Sequence, residues 1–234
     1  MVFIISHEEV TVKISQRIQN LDAMVSNHYQ NIWDCCCDHG FLGMRLLARQ
    51  AAEKIHFIDC MPTIVNKLTV QLQQRFPQDN QQTAWQVYCL DAAQLPLSKT
   101  TKSKPHLIII AGVGAELMIH LVKTIIASHP HLNLEFLLSP VNDCYLLRSA
   151  LIEQNMALIH EKLIHDNKRF YEAIHVSTSG THAISPVGSV MWDFSRQQDQ
   201  AYLTKLLTHY QRIAKQTNHQ ISAVIKNYQA LMTK

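Results

Sequence analysis

The chain has 234 residues, 47% of them hydrophobic and 17% charged, which suits a globular protein with a substantial core and room for one α/β domain plus an appendage. Net charge is only +3, but residues 196–234 alone carry +5 and the remainder −2, so the positive charge sits in the tail. The longest apolar stretch, Leu107 to Gly114, is far short of the roughly 20 residues of a membrane span. The run Met1–Ile5 is too short and lacks the basic flank of a signal peptide, so a cytoplasmic location is expected. Six cysteines, three of them consecutive, read as reduced thiols and not as a disulfide framework.

Residues 8–28 carry Val10, Ile14, Ile18, Leu21, Met24 and Val25 on one helical face, with Lys13, Gln16 and Arg17 opposite. A buried strand follows at 31–36. The polar turn Cys36-Cys37-Asp38-His39-Gly40 leads from it into a helix over 41–52. A second strand, 55–59, ends in Asp59, about 20 residues beyond that turn, where a strand–turn–helix–strand unit sets a carboxylate beside a ribose. Pro62 opens a helix to residue 75, and Pro77 follows its end. The third strand, 85–89, runs to Asp91 and Ala92. The polar loop 98–105 precedes the fourth strand, 107–110, which enters Ala111-Gly112-Val113-Gly114 and a helix over 115–127. A fifth strand at 135–138 ends in Ser139-Pro140, and a helix spans 142–154. The runs 157–165 and 170–177 flank an Asp166-Asn167-Lys168 turn as an antiparallel hairpin.

Strands alternating with helices predict a mostly parallel sheet covered on both faces, closed by an antiparallel end strand. That is the arrangement of class I methyltransferases, a Rossmann-like α/β fold. The expected organisation is a cofactor-binding domain over 1–178, a linker over 179–192 and a basic helical tail over 193–234. In the tail, Leu203, Leu207, Tyr210, Ala214, Thr217, Ile221, Val224, Tyr228 and Leu231 follow an unbroken 4-3-4-3 spacing. This is the seam of a coiled coil or helical hairpin, or a single long helix packing back on the domain.

Asp34, Asp59 and Asp91 stand at three successive strand ends, the order in which such a sheet meets the methionine, ribose and adenine parts of S-adenosylmethionine. A single strand-end Asp is an ordinary helix cap; the ordered set points to a ligand. Gly112-Val113-Gly114 reads either as close backbone approach to a ligand or as a plain helix-start turn. His160 and His165 are five apart and miss the zinc-protease spacing, the three adjacent cysteines lack a zinc-loop gap, and no metal is expected.

Asp34-x-Cys-x-Asp38-His39-Gly40-Phe41-Leu42, Ile109-Ile110-Ala111-Gly112-Val113-Gly114 and Leu138-Ser139-Pro140-Val141-Asn142 resemble the bacterial tRNA (adenine-22-N1)-methyltransferase family. Ile14-Ser15-Gln16-Arg17-Ile18, Phe170-Tyr171-Glu172 and the helical tail share the likeness, which covers nearly the whole chain. Cys36 stands where the family has glycine, Ala115 where it has a second glycine, and Ser139 and Val141 alter its Gln-Pro-Asn turn. A Cβ at position 36 is expected to crowd the methionyl group.

The resemblance implies S-adenosylmethionine held by Asp34, Cys36, Asp38, His39, Gly40, Asp59, Cys60, Asp91, Ala92, Ala111 and Gly112. It implies tRNA as substrate, met by Gly114, Pro140 and Asn142, with Lys205, Arg212 and Lys215 of the tail on its phosphates. Asp38, oriented by His39, is the candidate catalytic group for adenine N1, with the alternative that both only shape the turn. The tail seam also admits a homodimer. Two other readings stay open at this point: a same-fold methyltransferase acting on a small molecule or protein, and an inactive cofactor- and RNA-binding protein.

Overall fold

The computed structural model describes residues 14–78, 84–97, 105–215 and 220–233. In chain order the elements are α1 (Gln16–Met24), β1 (Tyr29–Cys35), α2 (Phe41–Ala48), β2 (Ala52–Asp59), α3 (Pro62–Arg75), β3 (Ala84–Cys89), β4 (His106–Ala111), α4 (Ala115–Ser128), β5 (Leu134–Ser139), α5 (Cys144–Glu153), β6 (Ala157–Asp166), β7 (Arg169–Ser177), α6 (Gln197–Ala214) and α7 (Gln220–Gln229).

Seven strands form one sheet in the order β3-β2-β1-β4-β5-β7-β6. The first five are mutually parallel, and β7 and β6 complete the sheet antiparallel. Helices cover both faces of the central strand β4, and its run Leu107, Ile108, Ile109 and Ile110 is accordingly apolar and fully buried. One side packs on α4 and α5 through residues such as Met118, Ile125, Phe136 and Leu147. The other packs on α1, α2 and α3 through Leu21, Leu46, Phe57 and Leu68. All six cysteines are free thiols in the structure. No helix of the described residues is long and apolar enough to cross a membrane.

The predicted linker is pinned down. Ile184, Val187 and Met191 are buried, and the backbone amides of Ser189, Val190 and Met191 all donate to the carboxylate of Glu161. Glu161 also pairs with Arg148 at 2.6 Å, and Arg148 pairs with Glu172 at 2.8 Å. Tyr202 of α6 donates to Glu172 at 2.9 Å. One fully buried guanidinium thus ties α5, both hairpin strands, the strap and the tail together. Removing it leaves two buried carboxylates without a counter-charge, so Arg148→Met should lower unfolding stability by roughly 3–5 kcal/mol in a denaturant titration.

The tail differs from an unbroken helix. It forms two helices, α6 and α7, whose apolar residues close on each other. Leu203, Leu207, Tyr210, Val224, Tyr228 and Leu231 share one cluster with Tyr145 and Val187, while Thr217 lies outside the described residues. Six of the nine seam residues thus close within one chain, as a hairpin docked on α5, with Asn227 donating to the Tyr145 hydroxyl at 3.0 Å. The seam proposed for a homodimer is the one this hairpin uses.

Candidate active site

All parallel strands end on the same edge of the sheet, and the cavities lie along that edge. Between β1 and α2 the chain turns through Cys36 and Asp38, both at positive φ (55° and 49°), to Gly40 at 66°. Gly40 is required twice over: its φ is left-handed, and a Cβ there would come within 2.6 Å of Leu68. Cys36 holds a left-handed conformation with a side chain, at the strain cost that brings in this region. Two cavities lie along this edge, and Cys36 lines both, so they are two lobes that share its side chain.

The first lobe, about 310 Å³, is walled by Asp34, Cys36, Cys37, Asp38, His39, Phe41, Ala111, Gly112 and Val113, with Ser15, Arg17, Ile18 and Leu21 from α1 and its cap. The second, about 290 Å³, is walled by Cys36, Ile58, Asp59, Cys60, Leu90, Asp91, Ala92, Leu117 and Leu121. Ten of the eleven expected cofactor residues line one lobe or the other. Gly40 is absent from both and acts as the turn into α2, opening that helix without a side-chain cap.

The three strand-end acids have different surroundings. Asp34 is buried, its Oδ2 accepting the Gly43 amide at 2.9 Å, and burial raises its pKa from 3.8 to about 7. Asp59 is nearly buried and accepts two amides, from Asp38 at 3.2 Å and from Met61 at 2.9 Å, so it locks the cofactor turn against the end of β2. Asp91 is exposed and caps the short 3-10 turn Ala92–Gln94 through Ala93 at 2.9 Å. Capping and lining the cavity coexist in this residue. Asp38 and His39 do meet, Nδ1 to carboxylate at 2.8 Å, but both are about two-thirds exposed and form the outer lip of the first lobe.

Among the residues expected to meet substrate, the Asn142 Oδ1 accepts the Ala115 amide at 3.2 Å and so caps α4 beside Gly114. Pro140, just beyond the end of β5, is buried, whereas Val141 and Asn142 after it are exposed. Lys205, Arg212 and Lys215 are exposed along α6.

Arg17 escapes the sequence reading. Periodicity sets it on the polar face of α1, away from the apolar stripe. In the structure Ser15 caps the helix, its Oγ accepting the Ile18 amide at 3.2 Å, so Arg17 belongs to the first turn and reaches across the sheet edge. Its guanidinium donates to the Ser139 carbonyl at 2.7 Å and to the Ser139 hydroxyl at 3.2 Å, and lies 4.6 Å from the centre of the Tyr171 ring. Burial lowers its pKa. It is a half-desolvated cation at the wall of the first lobe, beside Gly112, where a Cβ would lie 3.9 Å from the guanidinium. The cap at Ser15 was the available signal; rotation about the helix axis alone does not reveal axial position.

A methyltransferase domain model matches residues 14–174, more than half of the chain. The chain belongs to the methyltransferase domain family. This methyltransferase finds no match among curated proteins. Among solved structures it is similar to a putative tRNA (m1A22) methyltransferase of Streptococcus pneumoniae, with a TM-score of 0.72 at 16% identity over 93% of this chain and 99% of that one. It is also similar to TrmK of M. capricolum in complex with S-adenosyl-homocysteine, at 0.71 and 14% over 94% and 98%. A third likeness is to the M1A22 tRNA methyltransferase TrmK of B. subtilis, at 0.69 and 18% over 95% and 97%. At these identities the likeness is one of fold, and it extends through the tail helices as well as the sheet. Among the described residues no group of three or more His, Cys, Asp or Glu is placed to hold a metal ion.

Proposed function

We propose that this methyltransferase transfers the methyl group of S-adenosylmethionine to N1 of an adenine in tRNA, in the cytoplasm. The observation that carries the reading is the two-lobed cavity along the carboxyl ends of β1, β2 and β3, with one acid per strand end and a nearly buried carboxylate at the middle position. The residues fit the cofactor. Asp59 keeps lone pairs for the two ribose hydroxyls, Asp91 and the Ala92 amide face the adenine lobe, and Arg17 offers a desolvated cation to the methionyl carboxylate.

The cofactor supplies a methyl group already activated on a sulfonium, so the protein's task is alignment more than nucleophile activation. Cys36 is held neutral. Burial, then the Asp59 carboxylate, pushes its thiol up to about 11, so no thiolate lines the lobes to compete for an electrophilic methyl. Attack by adenine N1 places positive charge on the base. The Asp38 carboxylate at the lip, oriented by His39, and the backbone carbonyls around Gly112 are the groups within reach to stabilise it. N1 lies on the pairing edge, so the base enters unpaired. Asn142 presents its amide N–H groups beside Gly114 once its oxygen is committed to Ala115.

The test is incubation of the full chain with methyl-labelled S-adenosylmethionine and unmodified bulk tRNA. Label retained in the RNA supports the reading. No incorporation, with the cofactor bound normally in calorimetry, contradicts the choice of substrate.

A further inference from the structure

The antiparallel hairpin carries β6 and β7 past the end of β5, so its tip stands on the edge of the sheet where the cavity opens. Tyr171 and Phe170 are consecutive on β7 and therefore point to opposite faces. Tyr171 stacks on Arg17 at the first lobe, while Phe170 starts a row of rings on the other face. His165 lies 4.9 Å from Phe170, Phe170 lies 5.1 Å from Tyr202, Tyr202 lies 5.7 Å from Trp192, and Trp192 stacks on Phe194 at 5.4 Å. Inner members of the row are anchored, but His165 at one end is exposed and Phe170 is only half-buried. Lys205 extends from α6 over the Phe170 ring at 5.9 Å.

The tip itself breaks a local rule. Asp166 pairs with Arg169 across a two-residue turn, and both turn residues, Asn167 and Lys168, have positive φ, 48° and 64°. Such a turn favours asparagine followed by glycine. Here the glycine position holds a lysine, which costs backbone strain and sets a cation at the outermost point of the hairpin, next to exposed Arg169. The acids nearby are spoken for: Glu161 and Glu172 pair with buried Arg148, and Asp166 is buried and accepts the Arg17 amide at 3.2 Å. The rim is therefore left with cations interleaved with aromatic faces.

We propose that this hairpin tip, with the start of α6, is a nucleic-acid surface that stacks the unpaired nucleotides flanking the target base. His165 and Phe170 supply the stacking platform, and Lys168, Arg169 and Lys205 meet the adjoining phosphates. The proposal rests on the RNA-methylating reading above and deepens it. Unstacked bases on aromatic faces beside lysine and arginine are the chemistry by which single-stranded RNA is held. A base drawn into the first lobe leaves its neighbours at the rim where the row begins.

The test uses the full chain, unmodified tRNA and three variants: Lys168→Gly with Arg169→Ser, His165→Ala, and Phe170→Leu. Glycine suits the turn better than lysine, so the first variant removes charge without weakening the hairpin. It should raise the KM for tRNA about tenfold and reduce the slope of log affinity against log salt by about 1.4 to 1.8, two phosphate contacts' worth. His165→Ala and Phe170→Leu should each weaken tRNA binding roughly five- to tenfold at constant salt slope. Cofactor affinity measured by calorimetry should stay unchanged in all three. Variants that methylate tRNA with wild-type KM and salt slope overturn the surface alone. Loss of cofactor affinity in step with tRNA affinity also overturns it, since it marks a structural role. A wild-type chain that binds the cofactor but neither binds nor labels tRNA overturns the reading beneath it.

Discussion

Asp59→Ala lowers the affinity for S-adenosylmethionine at least a hundredfold, measured by titration calorimetry. Two hydroxyls donating to one carboxylate are charge-assisted hydrogen bonds of roughly 1.5–3 kcal/mol each, and alanine removes both. The same substitution deprives the Asp38 and Met61 amides of their acceptor, so the cofactor turn also loses its tie to β2. Asp59→Asn separates the two effects. It keeps one oxygen and the side-chain shape but not the charge, and its affinity should fall between those of wild type and the alanine variant. An alanine variant that binds within threefold of wild type would remove the ribose from this position.

The second large effect is a pH dependence set by Asp34. Its folded pKa, raised by burial to about 7, lies above the ordinary 3.8. From about pH 4 to pH 7 the folded chain therefore holds a proton that the unfolded chain has released, and stability falls as pH rises through that window, by roughly 4 kcal/mol in all. Asp34→Asn abolishes this contribution, so the variant should gain stability over wild type as pH increases and level off above about pH 7. The difference between the two proteins is the quantity to measure by denaturant titration. His56, stacked on Trp33 at 3.7 Å and pushed down to about 3 by burial and then by Lys54, adds a slope of the opposite sign below its ordinary value, and this cancels in the difference.

Cofactor binding reverses the preference at Asp34. With the cofactor's sulfonium and ammonium charges in the first lobe, as proposed, the ionised carboxylate is favoured and binding should expel the proton. Wild-type affinity should then tighten about tenfold from pH 6 to pH 8, while the Asp34→Asn variant loses that component. A flat difference between the two would show that Asp34 is already ionised in the free chain.

The order of strands and helices was legible because periodicity and the Gly and Pro positions agree along the sheet. Pro62 opening α3, Pro77 beyond its end, and the all-apolar run of β4 each have one structural meaning. The strand-end acids were legible as a set because a parallel sheet delivers them to one edge. Three features were not fully legible. Arg17 depends on where α1 begins, which a face-by-face reading of apolar residues does not give. The tail was legible only as a choice: its seam allowed a helical hairpin, but the seam residues are the same whether the partner is a second copy or the chain itself. The strap over 179–192 looks like a linker because its polarity is real, yet its amides are gathered by one buried carboxylate, Glu161, which sequence distance conceals. Of the two residues carried over by motif position, Pro140 lies buried and Asn142 exposed, a difference that motif position does not give.

The central claim is that the two-lobed cavity directs a methyl group to N1 of an unpaired adenine in tRNA. Nucleoside mass spectrometry of tRNA digested after reaction with the full chain and S-adenosylmethionine tests it most directly. The account predicts N1-methyladenosine as the new nucleoside, absent when Asp59→Ala replaces the wild-type chain. A methyl group found on another atom or another base, or on no nucleoside while the cofactor is bound, would contradict it.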